Sequence, residues 1–191
     1  MRLASLPMYD LPGVRADWAA LWERARPFLL RAGIPVPLRL SRPSDVLPHW
    51  SDPRLVLSQT CAPPWRDGLR RHMAVVGAFD FGLPGCPPGW YRSHLVVRQS
   101  EVRPPRLLLE LGRVAINGTD SHSGYGSLVA LGHPPRQPLV TGAHVNSVRA
   151  LKAGLADIAA IDAVTWRYLK RVPGRLSGLR IVGHTAPHPG T

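Results

Sequence analysis

The sequence holds only two cysteines in 191 residues, Cys61 and Cys86. That excludes a disulfide scaffold, and the lack of any CxxC pair gives no sign of a zinc site. No apolar run reaches the roughly 20 residues that a membrane span requires. The start, Met1-Arg2-Leu3-Ala4-Ser5-Leu6-Pro7, carries no long apolar stretch with a small-residue cleavage site, so no secretory signal is visible. Two locations stay open on this reading: the periplasm if a leader precedes the recorded start, the cytoplasm otherwise. Lysine and acid are scarce too. Of 24 Lys and Arg residues two are lysines, Lys152 and Lys170, which leaves 22 arginines against 12 acidic residues.

The net charge of +12 raises nucleic acid as a partner. However, the arginines are dispersed, and the densest group is only Arg66, Arg70 and Arg71. Nucleic-acid surfaces concentrate their cations on one face or in one run, so no nucleic-acid partner is expected. Hydrophobic residues make up 45% of the chain, enough for a substantial core. Both cysteines sit among rigid loop residues, in Thr60-Cys61-Ala62-Pro63-Pro64 and Pro84-Gly85-Cys86-Pro87-Pro88. They are a candidate disulfide, which would imply an oxidising compartment. The other reading is two free thiols.

Hydrophobic periodicity alternates strand and helix along the chain. Strands are expected at 3–8, 36–40, 54–58, 74–79, 114–116, 139–142, 157–161 and 179–183, with a further apolar run at 90–97. Helices are expected at 16–30, in a short stretch from Ser44 that stops before Pro48, in a turn at 65–71, and at 104–111, 123–131, 145–153 and 163–170. Pro27 should kink or restart the first helix, and Gly33 and Gly154 should end theirs. This alternation predicts an α/β architecture of mostly parallel sheets. Proline and glycine concentrate at 82–89 and 172–178, which divides the chain into lobe one at 1–85, lobe two at 90–175, and a strand returning to lobe one over 178–191.

The most informative stretch is Asn117-Gly118-Thr119-Asp120-Ser121-His122-Ser123-Gly124-Tyr125-Gly126-Ser127-Leu128, between the apolar run at 114–116 and a helical segment. A strand, a Ser/Gly turn and a helix start aim unpaired backbone N–H groups and hydroxyls at one place, where anions settle. An ordinary helix cap by Asp120 or Ser121 is the other reading. In open α/β sheets ligands lie beyond the carboxyl ends of strands. That rule nominates Tyr9, Ser58, Gln59, Thr60, the Ser121-His122-Ser123-Gly124 loop, His144 and Asp162. Each has a structural alternative: Tyr9 as core, His144 as a structural histidine, Asp162 as the cap of the helix at 163–170. Arg92 could grip an oxyanion in bidentate fashion or lie solvated. Asp157 reads as structural, and Trp18 and Trp22 as core.

Several pieces together resemble the phosphate/phosphonate-type substrate-binding proteins of ABC transporters, which have the two-lobed type II periplasmic-binding-protein fold. They are Leu6-Pro7-Met8-Tyr9, Leu57-Ser58-Gln59-Thr60-Cys61, Pro84-Gly85-Cys86 leading to Trp90-Tyr91-Arg92-Ser93, Asp120-Ser121-His122-Ser123-Gly124, Thr141-Gly142-Ala143-His144, and the run from Ala156 to Asp162. The Asp-Ser-x-Ser-Gly loop followed by Gly-x-His is the most specific pair. The resemblance implies that Ser121, His122 and Ser123 cradle the oxyanion and that His144 meets it. It implies that Tyr9 closes on the ligand, that Asp162 meets an amino group where there is one, and that Ser58 to Thr60 line the opposite wall. The middle loop position is often threonine in the family and is His122 here, which bears on ligand choice. Relatives also continue past Pro189-Gly190-Thr191 with more of lobe one.

The function expected is capture of a small phosphonate- or phosphate-like oxyanion by a monomer for a membrane permease, with no catalysis, cofactor or metal. One alternative is a cytosolic effector-sensing module of the same fold. Another is a hydrolase built on Ser121, His144 and Asp162, although no Gly-x-Ser-x-Gly motif supports it.

Overall fold

The computed structural model describes residues 2–190, which fall into two compact units, one ending at Val75 and the other spanning Val76–Gly190. In the first unit β1 (Leu3–Ala4) pairs in parallel with β2 (Leu55–Leu57). The helices α1 (Arg15–Arg31), α2 (Val46–Trp50) and α3 (Ala62–Asp67) complete it. Trp18 and Trp22 lie one turn apart on α1 and are both buried, which sets the inward face of that helix. Three buried indoles here have a carbonyl acceptor: Trp18 donates to Tyr9, Trp22 to Pro37 and Trp50 to Gln59. Buried donors need such partners.

Three local expectations differ from the structure. Residues 36–40 form no strand, and Pro37 within them has no N–H to give to a ladder. The stretch 74–79 forms no strand either, with Val75 and Val76 exposed where one unit gives way to the next. The helix near Ser44 starts at Val46, with Asp45 as its cap accepting from the Leu47 N–H, and it runs through Pro48. Pro48 lies in the first turn, where a backbone donor would have no intrahelical acceptor, so the ring removes nothing. The helix α1 continues past Pro27 to Arg31 and does not restart there.

The second unit is built on a five-stranded sheet with the order β6-β5-β7-β4-β8. Its strands are β4 (Ser93–Arg98), β5 (Val114–Ile116), β6 (Leu139–Val140), β7 (Ile158–Asp162) and β8 (Leu179–His184). β5 is parallel to β6 and β7, whereas β4 is antiparallel to β7 and β8. The sheet is therefore mixed: β5, β6, β7 and β8 run one way, as the expected mostly parallel sheet would, and β4 runs against them. β8, expected to return to lobe one as part of 178–191, hydrogen-bonds instead to β4 inside the second unit. A separate two-stranded ribbon, unforeseen in the sequence, pairs β3 (Trp90–Tyr91) with β9 (His188–Pro189). The helices are α4 (Pro105–Leu111), α5 (Ser127–Ala130), α6 (His144–Lys152) and α7 (Ala163–Lys170). Every residue of β7 is buried, as befits a central strand covered on both faces. Leu95, Val97, Val114, Ile116, Ile158 and Ala160 meet Leu108, Leu109 and Leu128 in one core cluster.

At the amino ends of β5 and β7, Asp157 accepts from Arg98 at 3.1 Å and from the Arg113 guanidinium at 2.9 Å, and it also accepts from the Arg113 backbone N–H. Arg103 bridges Asp157 to Glu101. The Arg113 hydrogen bonds hold the Asp157 carboxyl well below the usual range, and those from Arg103 hold Glu101 at about 2. No helix among the described residues is long and apolar enough to cross a membrane. Cys61, ahead of α3, and Cys86, in the turn after Leu83, belong to different units and share no disulfide.

Because both carboxyls sit lower in the folded protein than their ordinary values of 3.8 and 4.5, their contribution to stability is complete above about pH 5. It is lost as the pH falls through the folded values. Urea unfolding of the wild type between pH 3 and 7 should show that decline, and Asp157→Asn should flatten it. At pH 7 the removal of the shared acceptor in Asp157→Ala should cost about 2 kcal/mol, less than for a fully buried pair because the Arg113 side chain is mostly exposed.

Candidate functional site

The strand β5 ends at Ile116, and the chain then makes a wide π-helical turn, His122–Gly126, before entering α5. Ser121 holds this turn with both of its oxygens. Its hydroxyl accepts from the Gly124 N–H at 3.2 Å, and its carbonyl accepts from the N–H groups of Tyr125 and Gly126. Gly124 is packed so closely that a β-carbon there would lie 1.8 Å from Asn117 Oδ1. Capping by Ser121 and the build-up of polar groups, two readings that the sequence left open, therefore occur in the same turn. The Gly124 amide, expected to face an anion, is directed to Ser121 instead; its contribution is shape.

Ser123 is the centre of the group. Its hydroxyl lies 2.8 Å from His144 Nε2 and 3.3 Å from the Ser121 hydroxyl. Its carbonyl accepts from the Ser93 hydroxyl at 2.8 Å and from Ser127 at 2.7 Å. Ser121, Ser123, Ser93 and Ser127 are all buried. His144 opens α6 just beyond β6, so the two elements that follow adjacent parallel strands bring their polar residues together at the strands' carboxyl ends. Burial pushes the His144 imidazole down to about 4, with the Ala160 carbonyl acting the other way, so the ring is neutral at pH 7. Its Nδ1 is buried with no hydrogen-bond partner among the described residues.

Asp162 ends β7, is 3% exposed, and caps α7 by accepting from the Thr165 N–H at 2.8 Å. Arg92 is not with the serines. Side chains alternate across a strand: Ser93 reaches the serine turn, while Arg92 extends to the other side, donates to the Pro84 carbonyl at 2.8 Å, and lies under Gly85. The sequence reading missed three contributors. Ser93 and Ser127 fix the Ser123 carbonyl, and His188 on β9 stands edge-on to His122 with ring centres 3.9 Å apart. Both nitrogens of His188 are buried without partners among the described residues, and burial pushes its ring down to about 4. Nothing local marks His188, because only the β3–β9 pairing across about 100 residues brings it there.

In the first unit, Tyr9 is 4% exposed in the short turn after β1 and sits in the core there. The Ser58 hydroxyl is engaged with Ser5, Trp50 and the Gln59 carbonyl, and the Thr60 hydroxyl donates to the Cys61 carbonyl. Gln59 is different: it is 5% exposed, yet neither its side-chain oxygen nor its nitrogen has a partner among the described residues. An unsatisfied buried amide costs about 1–3 kcal/mol at each end, so Gln59 is the residue of that strand end with hydrogen-bonding capacity to offer. Among the described residues no group of three or more His, Cys, Asp or Glu could hold a metal ion.

No protein-family model matches the chain, and neither does any curated protein. Solved structures do. A binding protein component of an ABC phosphonate transporter from Pseudomonas aeruginosa, PA3383, superposes with a TM-score of 0.70 at 13% identity over 99% of this chain and 66% of that one. XAC2383 from Xanthomonas citri, bound to chloride, gives 0.66 at 19% identity over 98% and 74%. PhnD1 from Prochlorococcus marinus, in complex with methylphosphonate, gives 0.63 at 15% identity over 98% and 73%. The chain thus has the α/β fold of the type II periplasmic binding proteins.

Two outcomes test this geometry. Gly124→Ala should destabilise the protein by about 2 kcal/mol through overlap with Asn117. Gly126→Ala should change stability by less than about 1 kcal/mol, because its β-carbon would meet a movable ring, His122, at 3.2 Å; chemical denaturation of the two variants compares them. In NMR spectra of the imidazole nitrogens, His144 should be neutral at pH 7 and should titrate with a midpoint of about 4.

Proposed function

We propose that this protein is a solute-binding protein that captures a small phosphonate- or phosphate-like oxyanion and delivers it to an ABC permease, without transforming it. The observation that carries the reading is the meeting of the Ser121 and Ser123 hydroxyls with the His144 imidazole at the carboxyl ends of parallel strands. All are neutral groups that can donate. An oxyanion bound there would be largely stripped of water, where hydrogen bonds to charged groups are strong. The Ser121 hydroxyl, by accepting from Gly124, keeps its own proton for a ligand oxygen. Ser123 can turn its proton to an anion, and a neutral His144 with its own proton on Nε2 can donate to the Ser123 hydroxyl in turn. His122 and His188 stand next to the turn and set what fits beside the oxyanion. The likeness in fold to phosphonate-binding proteins supports the choice of ligand class. A periplasmic location follows if a leader precedes this sequence. A sensing module of the same fold would use the same site and differ only in what it reports to.

One observation favours a second reading. Ser123 Oγ and His144 Nε2, 2.8 Å apart, are placed like a nucleophile and its base. A triad also needs a carboxylate to orient the far nitrogen. Here His144 Nδ1 has no such partner, and Asp162 caps α7 with Oδ1. Binding is the better account.

Methylphosphonate or phosphate at about a hundredfold excess over Kd should raise the melting temperature by roughly 5–10 °C. Ser123→Ala should weaken that binding about tenfold or more. If no phosphonate, phosphate, sulfate or carboxylate shifts the melting curve, the reading fails. Hydrolysis of simple esters that disappears in Ser123→Ala would replace it with the hydrolase.

A further inference from the structure

On the side of β4 away from the serine turn lies a groove of about 280 Å³ in the second unit. Arg92 and His94 reach it from β4 and its entry, and Trp166, Arg167 and Lys170 reach it from α7. Leu83, Ala163 and Ile181 complete an apolar floor. No lining residue is acidic. Arg92 donates to the Pro84 carbonyl, and Arg167 donates to the carbonyls of Phe81 and Gly82. These are neutral acceptors, so the positive charge is not cancelled. Most other arginines placed near acids form ion pairs, as Arg98, Arg103 and Arg113 do. In a folded protein, three cations sharing one concave surface whose described lining holds no acid raise the local potential and favour an anion. The floor adds a flat surface: Trp166 is 5% exposed, stands edge-on to His94 at 6.1 Å, and has its indole N–H buried with no partner among the described residues.

We propose that this groove is a second ligand site, which takes a small organic carboxylate with a flat apolar body. The apolar body would lie against Trp166, Leu83 and Ile181, and the carboxylate would meet Lys170 and the remaining guanidinium N–H groups of Arg92 and Arg167. The volume sits at the lower end of the range for small-molecule pockets, which suits one ring and its carboxylate. The His94 ring agrees with the positive field: burial first, then His184, Arg92 and Lys170, push it down to about 4. A bare phosphate is less suited, because it would leave the apolar floor uncovered. This inference stands apart from the serine-turn reading, since the groove shares no residue with that turn.

The probe is 4-fluorobenzoate, followed by fluorine NMR on the whole chain. It should bind, and the neutral 4-fluorobenzyl alcohol should bind about tenfold more weakly. Lys170→Glu should weaken the benzoate about tenfold or more and Lys170→Met by several fold. Both variants should keep the wild-type melting temperature, because Lys170 is exposed. Ser123→Ala should leave benzoate binding within twofold. Equal binding of the benzoate to wild type and Lys170→Glu overturns the proposal. So does displacement of the benzoate by methylphosphonate, which would place it at the serine turn. Tighter binding of a glutamate-rich peptide than of the benzoate, with displacement of the latter, would overturn it in favour of a surface for an acidic protein partner.

Discussion

The wide turn after β5 depends on a contact that only glycine permits. Gly124 approaches Asn117 so closely that any side chain would force Asn117 to move, and the Gly124 N–H reaches back to the Ser121 hydroxyl. With the turn closed in this way, Ser123 is lifted toward α6 and its hydroxyl meets His144. Ser93 and Ser127 then fix the Ser123 carbonyl from two other elements. The polar cluster is thus assembled by backbone fit first and by side-chain hydrogen bonds second. A buried polar cluster of this kind holds a single geometry only if its members satisfy one another.

Charge is arranged in a pattern that serves the same end. Asp157, Glu101, Arg98, Arg103 and Arg113 form their ionic network at the amino ends of β5 and β7. The serines and His144 gather at the opposite end, beyond the carboxyl ends of β5 and β6. The strong fixed charges therefore stabilise the sheet where no ligand is expected, and the opposite end is left to neutral donors. A neutral site can accept an anion without first having to give up a carboxylate partner. His144 and His188 are both held neutral by burial, so neither brings a fixed positive charge to the cluster. The basic groove on the far side of β4 follows different rules, with charge supplied by arginine and lysine and shape supplied by an indole.

How far the sequence could be read varied with the range of the forces involved. The extents of α1, α7 and β5 follow from local periodicity and from Asp162 and Gly33 at their boundaries, so they were legible to within a residue or two. Residues 36–40 and 74–79 carry apolar composition but no partner strand, and composition cannot tell the two situations apart. Pro48 misled because its effect depends on whether it stands in the first turn or beyond it. Arg92 looked like a site residue from its neighbours in the chain, but the alternation of β4 sends it away from Ser93.

Sequence by itself determined the class of fold, the Ser-x-Ser-Gly turn after a strand and the histidine after the next, because these rest on short-range pattern and on residue chemistry. Tertiary structure alone decided that Ser123 is the serine paired with His144, that β8 closes the second unit, and that His188 stands beside His122. It also decided that Gln59 keeps an unsatisfied buried amide while Ser58 does not. The reason is physical: strand register and the packing of distant segments set which polar atoms are left with partners, and neither is encoded in any single stretch of chain.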